Sequence, residues 1–374
     1  MKALAAAVLG ALVVAAGAAA AGPPPVHASA YLVENASTGE VLASSAAHAR
    51  VPIASITKLM TVLIALHRHR LTDVVAVDPR AAAVGESSAY LRAGERLSIS
   101  DLVKAALIQS ANDAADALAL SVAPSFPAFA TMMNREAATL GLRDTHFVRP
   151  DGLDAPGEYS SAADVTRLAQ ILMRNAFVRA TVGEETQTIA GGRVLRTWDD
   201  LLSELPNVIG VKTGHTGEAG WCQVAAVRGP GGTIIYATLL GGPSRSVRNA
   251  DLESLLVWGE EQYRVVAAVQ ARRVYAYADL PYGEKPLALV AARPLDVAAR
   301  VGRPLSQRVV ATRTVSLPVA RGAVLGRVEV RSGGRLVGRR DLVAARSVSK
   351  PSELRKLGWY AGRTAHHLVH LFSP

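Results

Sequence analysis

A single cysteine, Cys222, stands in 374 residues. An intramolecular disulfide is therefore excluded, and if the chain is exported it must be held by its core. Cys222 itself reads as a small buried residue on a strand beside Trp221. Long apolar runs are also missing: beyond the first twenty or so residues, nothing reaches the roughly 18 uninterrupted apolar residues of a spanning helix. No internal repeat is apparent. Lysine and asparagine are scarce, at seven and six residues, and 34 of the 41 cationic side chains are arginine. That scarcity makes any motif built on Lys or Asn less expected by chance. What is present excludes disorder: half of the residues are hydrophobic, and the length suffices for two domains.

The chain opens Met1-Lys2-Ala3-Leu4, continues through an apolar Ala/Val/Leu stretch and reaches Ala18-Ala19-Ala20-Ala21-Gly22-Pro23. A basic start, an apolar stretch of about 15 residues and small residues at the end predict an export leader over residues 1–21. An uncleaved anchor is the alternative. Charge is partitioned along the chain. Residues 266–374 carry 19 Lys/Arg against 6 Asp/Glu, whereas residues 22–265 carry 21 against 25. For an exported chain the counterparts of the basic end are anionic lipid headgroups or wall polymers, and nucleic acid is not expected.

Three short motifs occur in order: Ser55-Ile56-Thr57-Lys58, Ser110-Ala111-Asn112 and Lys212-Thr213-Gly214. A second Ser-x-x-Lys, Ser347-Val348-Ser349-Lys350, runs into Pro351 and an exposed-looking tail. The first runs into an apolar helix, Leu59 to Leu66. Ser55 and Lys58 lie one helical turn apart on one face. A serine hydroxyl needs an adjacent base, and a lysine serves only when neutral. Burial and a second cation both favour neutrality, and Lys212 is placed to supply that cation. The N–H of Ser55 and an N–H on the Lys212–His215 strand edge would receive the oxyanion. Ser110 offers a proton relay to a leaving amine, Asn112 a hold on the substrate backbone, and Lys212 and Thr213 recognition of a carboxylate. Gly214 allows close approach of the substrate backbone to the strand. Taken singly, Ser110 and Asn112 also read as turn residues, and Lys212-Thr213-Gly214 as a strand end.

Around these motifs the sequence predicts a hairpin over residues 29–46, helices over 54–68, 100–122, 126–140 and 161–175, and strands over 207–213, 222–227 and 233–240. A helix follows at about 248–265. Composition shifts near residue 270 to short Val/Arg-rich runs between Gly and Pro turns, which predicts a small β-sandwich over 269–345. From 346 to 374, Leu354, Leu357, Ala361, Ala365, Leu368 and Phe372 recur at helical spacing with basic residues on other faces. That describes an amphipathic helix for a membrane interface, or one docked on the sandwich. The His366-His367 and His370 cluster is a weak metal candidate with no Cys or carboxylate beside it in sequence.

The chain resembles the low-molecular-mass penicillin-binding proteins, the D-alanyl-D-alanine carboxypeptidase family of serine peptidases. Beyond the ordered triple, the resemblance rests on Thr145-His146-Phe147, Asp151-Gly152-Leu153-Asp154, Tyr159 to Asp164, Gly210 to Thr216 and Ala219-Gly220-Trp221. It implies an α/β (α+β) catalytic domain over 22–268, of the serine β-lactamase/penicillin-binding transpeptidase-like type, with an antiparallel sheet and helices. The implied nucleophile is Ser55, the base Lys58 and the relay Ser110. Asn112, Lys212, Thr213 and His215 would contact the substrate or oxyanion, and Arg248 the terminal carboxylate, with Arg245 as a substitute. No cofactor or metal is implied. The substrates would be peptidoglycan pentapeptide stems, with β-lactams as acylating inhibitors, on the extracytoplasmic or periplasmic face of the membrane. One departure is visible: Thr197-Trp198-Asp199-Asp200 precedes Leu201-Leu202 where relatives show an Asn-rich stretch. Two alternatives stay open. A class A β-lactamase needs a glutamate in an ExxxN arrangement, which Glu158 and Glu184 lack. A non-enzymatic envelope-binding protein would have no need of the full reactive set.

Overall fold

The structure, a computed structural model, describes residues 22–361 and the backbone of residues 6–10. The expected leader falls outside the described residues except for Ala6–Gly10, as do residues 362–374 with their histidine cluster. The described residues divide into two compact units, residues 22–261 and residues 262–361 with 6–10.

The first unit is built on a five-stranded antiparallel sheet. Its order is Glu40–Ser45, Ala30–Asn35, Ile234–Gly242, Gly220–Arg228, Val208–Thr216. Alternation sends successive side chains to opposite faces. Val33 and Ile235 meet Gly259 of the Arg245–Glu261 helix on one face. On the other, the Thr238 hydroxyl bonds Thr166 at 2.6 Å on the Ala162–Leu172 helix. Leu32, Val224, Tyr236 and Leu240 extend that second face into the main core. Its centre is the Lys58–Arg68 helix, whose residues 58 to 65 are all buried; Leu59, Met60 and Val62 to Ala65 are apolar, and Lys58 and Thr61 are buried with hydrogen-bond partners. Cys222 sits in this core, and burial pushes its thiol up to about 12.

Two expectations are corrected. The helix expected over 100–122 is two helices, Ile99–Leu107 and Asn112–Val122, separated by a break that holds Ser110 at φ 61°. The helix expected to end near 265 ends at Glu261, because Tyr263–Val269 turns into a strand paired with Leu295–Arg300. Tyr263, Val265, Val266 and Val269 favour strand there. The second unit adds a six-stranded antiparallel sheet whose order is Ala6–Gly10, Leu305–Ala311, Val324–Ser332, Arg335–Ala344, Leu287–Ala291, Val274–Ala278. A core of Val269, Leu289, Val297, Val328, Val330 and Leu342 joins the two sheets of this unit. Residues 353–361 are helical. Among the described residues, no helix is long and apolar enough to cross a membrane.

Candidate active site

Ser55 lies not in the first turn of the α-helix but on the tighter 3-10 turn before it, Ala54–Thr57. Such a turn eclipses positions i and i+3, so Ser55 Oγ stands 2.7 Å from Nζ of Lys58, the first residue of the α-helix. Entry to the turn is strained: Ala54 adopts φ 50°, a left-handed value that a side chain disfavours.

Lys58 is completely buried, and its Nζ also meets Asn112 Oδ1 at 2.7 Å and the main-chain oxygen of Asp151 at 2.5 Å. Those two atoms can only accept. A neutral amine has two N–H bonds for them, which leaves its lone pair facing the Ser55 hydroxyl. Burial lowers Lys58 to about 8, against the opposing pull of Asp151, Asp116, Glu158 and Asp113. The expected second cation works the other way round. Burial first, and then the charge of Lys58, drive Lys212 well below its ordinary value.

Lys212 Nζ donates to Ser110 Oγ at 2.8 Å and to the carbonyl of Thr213 at 2.7 Å. Its Nζ orients Ser110, and Lys212 is not among the residues lining the cleft, so the expected carboxylate contact from Lys212 is not what this geometry presents. Asn112 is likewise turned inward, with Nδ2 on the Gly85 carbonyl at 3.1 Å and Oδ1 on Lys58. The break in the helix explains both. The Asn112 N–H bonds the Ser87 carbonyl at 2.7 Å, which starts the second helix afresh and turns Ser110 out toward Lys212.

A cleft of about 280 Å³ collects Ser55, Ser110, Thr213, Gly214, His215 and Arg248, together with Ser87, Trp198, Trp221 and Arg245. A Cβ on Gly214 would stand 2.9 Å from the Ile53 carbonyl oxygen and 3.1 Å from the Ser55 nitrogen, so only glycine lets this strand touch the serine turn. His215 stacks on Trp221 with ring centroids 4.0 Å apart. Arg248 is buried, lies over Trp221 at 5.6 Å and is steered by Asn249 Oδ1 at 2.6 Å. Arg245 is taken up by a bidentate bond to Asp200. Of the two arginines, Arg248 is the less neutralised.

Sequence reasoning missed the groups behind Lys58. Asp151 is buried and paired with Arg149 at 2.7 Å. Asp116, one turn beyond Asn112, is buried with its Oδ1 unpartnered. Its i+4 spacing from Asn112 was the available signal. Glu158 does stand beside the serine turn, but one oxygen accepts from Thr57 Oγ1 at 2.7 Å and the other from the N–H groups of Val148 and Arg149. Burial raises it to about 7. Its oxygens brace a loop and are spent there.

Such a set can move a proton from Ser55 to Lys58 and return one through Ser110 on the far side of the cleft. Residues 17–241 match the family described as D-alanyl-D-alanine carboxypeptidase. The chain is 28% identical to D-alanyl-D-alanine carboxypeptidase DacF of Bacillus subtilis, over 88% of this chain and 86% of that protein. It is 29% identical to D-alanyl-D-alanine carboxypeptidase DacA of Escherichia coli K12, over 91% and 89%. The crystal structure of penicillin binding protein 6B from Escherichia coli superposes with a TM-score of 0.64 at 27% identity, covering 87% of this chain and 98% of that one. The chain belongs to the D-alanyl-D-alanine carboxypeptidase family of serine peptidases.

Proposed function

We propose that Ser55 carries the acyl group in a D-alanyl-D-alanine carboxypeptidase reaction on peptidoglycan pentapeptide stems. Neutral Lys58 takes the Ser55 proton as Oγ attacks the carbonyl carbon between the two terminal D-alanines. The oxyanion is received by the Ser55 N–H and an N–H of the Lys212–His215 strand edge. As the C–N bond breaks, the Ser110–Lys212 pair delivers a proton to the departing amine. Arg248 and Thr213 hold the terminal carboxylate, His215 walls the cleft, and water then frees the acyl group. The observation that carries this reading is the contact chain Ser55–Lys58–Asn112 facing Ser110–Lys212 around one cleft. β-Lactams would acylate Ser55. Glu158 offers no free carboxylate to speed their release, which argues against a β-lactamase.

D-alanine release from a pentapeptide stem tests it, comparing wild type with Ser55→Ala. The variant should lose at least about a thousandfold in kcat/KM. Intact mass should shift by one penicillin in wild type alone. A penicillin adduct that persists in the variant, or rapid multiple turnover of a β-lactam, overturns the assignment. The leader-like start supports export to the extracytoplasmic or periplasmic face. The basic second unit and the 353–361 helix support binding to an anionic membrane surface, and nucleic acid is not a proposed partner.

A further inference from the structure

The segment Thr197 to Asp200, just ahead of the short Leu201–Glu204 helix, reaches the cleft through Trp198. Trp198 is 48% exposed and lines the cleft, where it presents a large apolar surface. Its indole is fixed: Nε1 donates to the Gln109 carbonyl at 3.1 Å, one residue before the relay serine Ser110. The Arg245 guanidinium lies over the ring at 5.4 Å and is tied to Asp200, so it reinforces the indole instead of competing for a carboxylate. Asp200 also stands 3.8 Å from Arg248 Nη2 and accepts from Asn249, which couples the indole to the buried arginine. The place where a leaving amine departs is therefore beside Trp198, and Arg248, which would take its carboxylate, lines the same cleft and is linked to the indole through Asp200 and Arg245. A terminal residue held at those two points has its side chain as the remaining substituent, and the indole is the surface beside it.

We infer that Trp198 is a specificity-determining residue: its indole receives the side chain of the substrate's C-terminal D-residue and extends acceptance from alanine to larger apolar D-residues. This rests on the carboxypeptidase reading above. A methyl group covers only a small part of an indole face, whereas an unbranched apolar side chain covers more. Each methylene removed from water there is worth about fourfold in kcat/KM.

The test uses the full chain and two soluble acyl-dipeptides ending in D-Ala-D-Ala and D-Ala-D-Met, following release of the terminal residue. Wild type should process the D-Met peptide at least about threefold better than the D-Ala peptide. Trp198→Ala should lower that ratio by about tenfold, and Trp198→Phe should retain most of it. Thermal melting checks that both variants fold. A wild-type preference for D-Ala, or a Trp198→Ala ratio within about twofold of wild type, overturns the inference while leaving the carboxypeptidase reading intact. Release from neither peptide by wild type overturns both.

Discussion

Lys58 and Lys212 are buried in one network, yet their surroundings ask different things of them. Lys58 has two obligatory acceptors and one hydroxyl, and only its neutral form can take a proton from that hydroxyl. With Lys58 near 8, about one tenth of the protein is in that form at pH 7, so acylation should rise with pH through about 8. Asp116 is the adjustable neighbour. Asp151, Arg149, Lys58 and Asp113 face it, burial raises its carboxyl, and in its charged form it favours the Lys58 ammonium. Asp116→Asn removes that charge in the same shape. Burial holds the Asp116 carboxyl at about 8, so it is mostly neutral at pH 7 and its charge acts on Lys58 chiefly above that. The midpoint of the acylation profile should move to lower pH, with the gain appearing near pH 8 and little change at pH 7. The second-order rate of penicillin acylation, measured from pH 5.5 to 9.5, checks this; an unmoved midpoint removes Asp116 from the account.

At the scale of elements, the site depends on places where regular structure is interrupted. The positive φ values of Ala54 and Ser110 bracket the two serines, and each costs about 1–3 kcal/mol that the packed helices must offset. Gly214 shows how close the tolerances are. In Gly214→Ala the new Cβ meets backbone on the Ile53–Ser55 turn, so acylation should fall by more than about tenfold, with a melting temperature only a few degrees lower. Glu158 predicts the opposite balance. Its folded pKa is raised, so its favourable contribution is complete below the unfolded value and is lost as pH rises through about 7. Glu158→Gln can keep the Thr57 and main-chain bonds with its amide suitably turned. The variant should therefore melt higher than wild type at pH 8.5, and the gap should close below pH 4.5.

These interruptions also mark what sequence could convey. The strands at 208–216, 220–228 and 234–242 and the buried nucleophile helix follow from periodicity and β-branched content. The three motifs name the chemistry because Lys and Asn are rare here. The break at Ser110 was only half legible: Ser110 and Asn112 read as turn residues taken singly, but the Ala- and Leu-rich residues on either side carry a helical pattern across them. What ends the helix is a distant contact, Asn112 N–H to the Ser87 carbonyl. The inward turn of Asn112 and Lys212 was hidden for the same reason: burial among partners from four segments is a tertiary property.

At the scale of the molecule, charge and catalysis are divided between the two units. The surplus of cations lies beyond residue 265, away from every residue of the cleft in sequence. Within the second unit, the 353–361 helix uses one side against its own domain. Trp359 meets the Tyr282 ring edge-on at 5.7 Å, and Arg355 pairs with Glu284 at 2.9 Å. Leu354 and Leu357, 82% and 65% exposed, are left on the surface. The two sequence alternatives for this helix, docked or interfacial, are therefore compatible: one flank docks and another presents leucines among basic residues. If that flank meets a membrane, Leu354→Glu with Leu357→Glu in the full chain should weaken cosedimentation with anionic vesicles by at least about tenfold. Neutral vesicles should bind far less, and raising salt from 0.1 to 1 M should weaken wild-type binding as screening shortens from about 10 to about 3 Å. Trp359 and Arg355 keep their contacts in this variant, and D-alanine release from a soluble peptide reads the cleft of the first unit independently. Vesicle binding that survives both glutamates and high salt would place the membrane contact elsewhere and leave the helix a purely docked element.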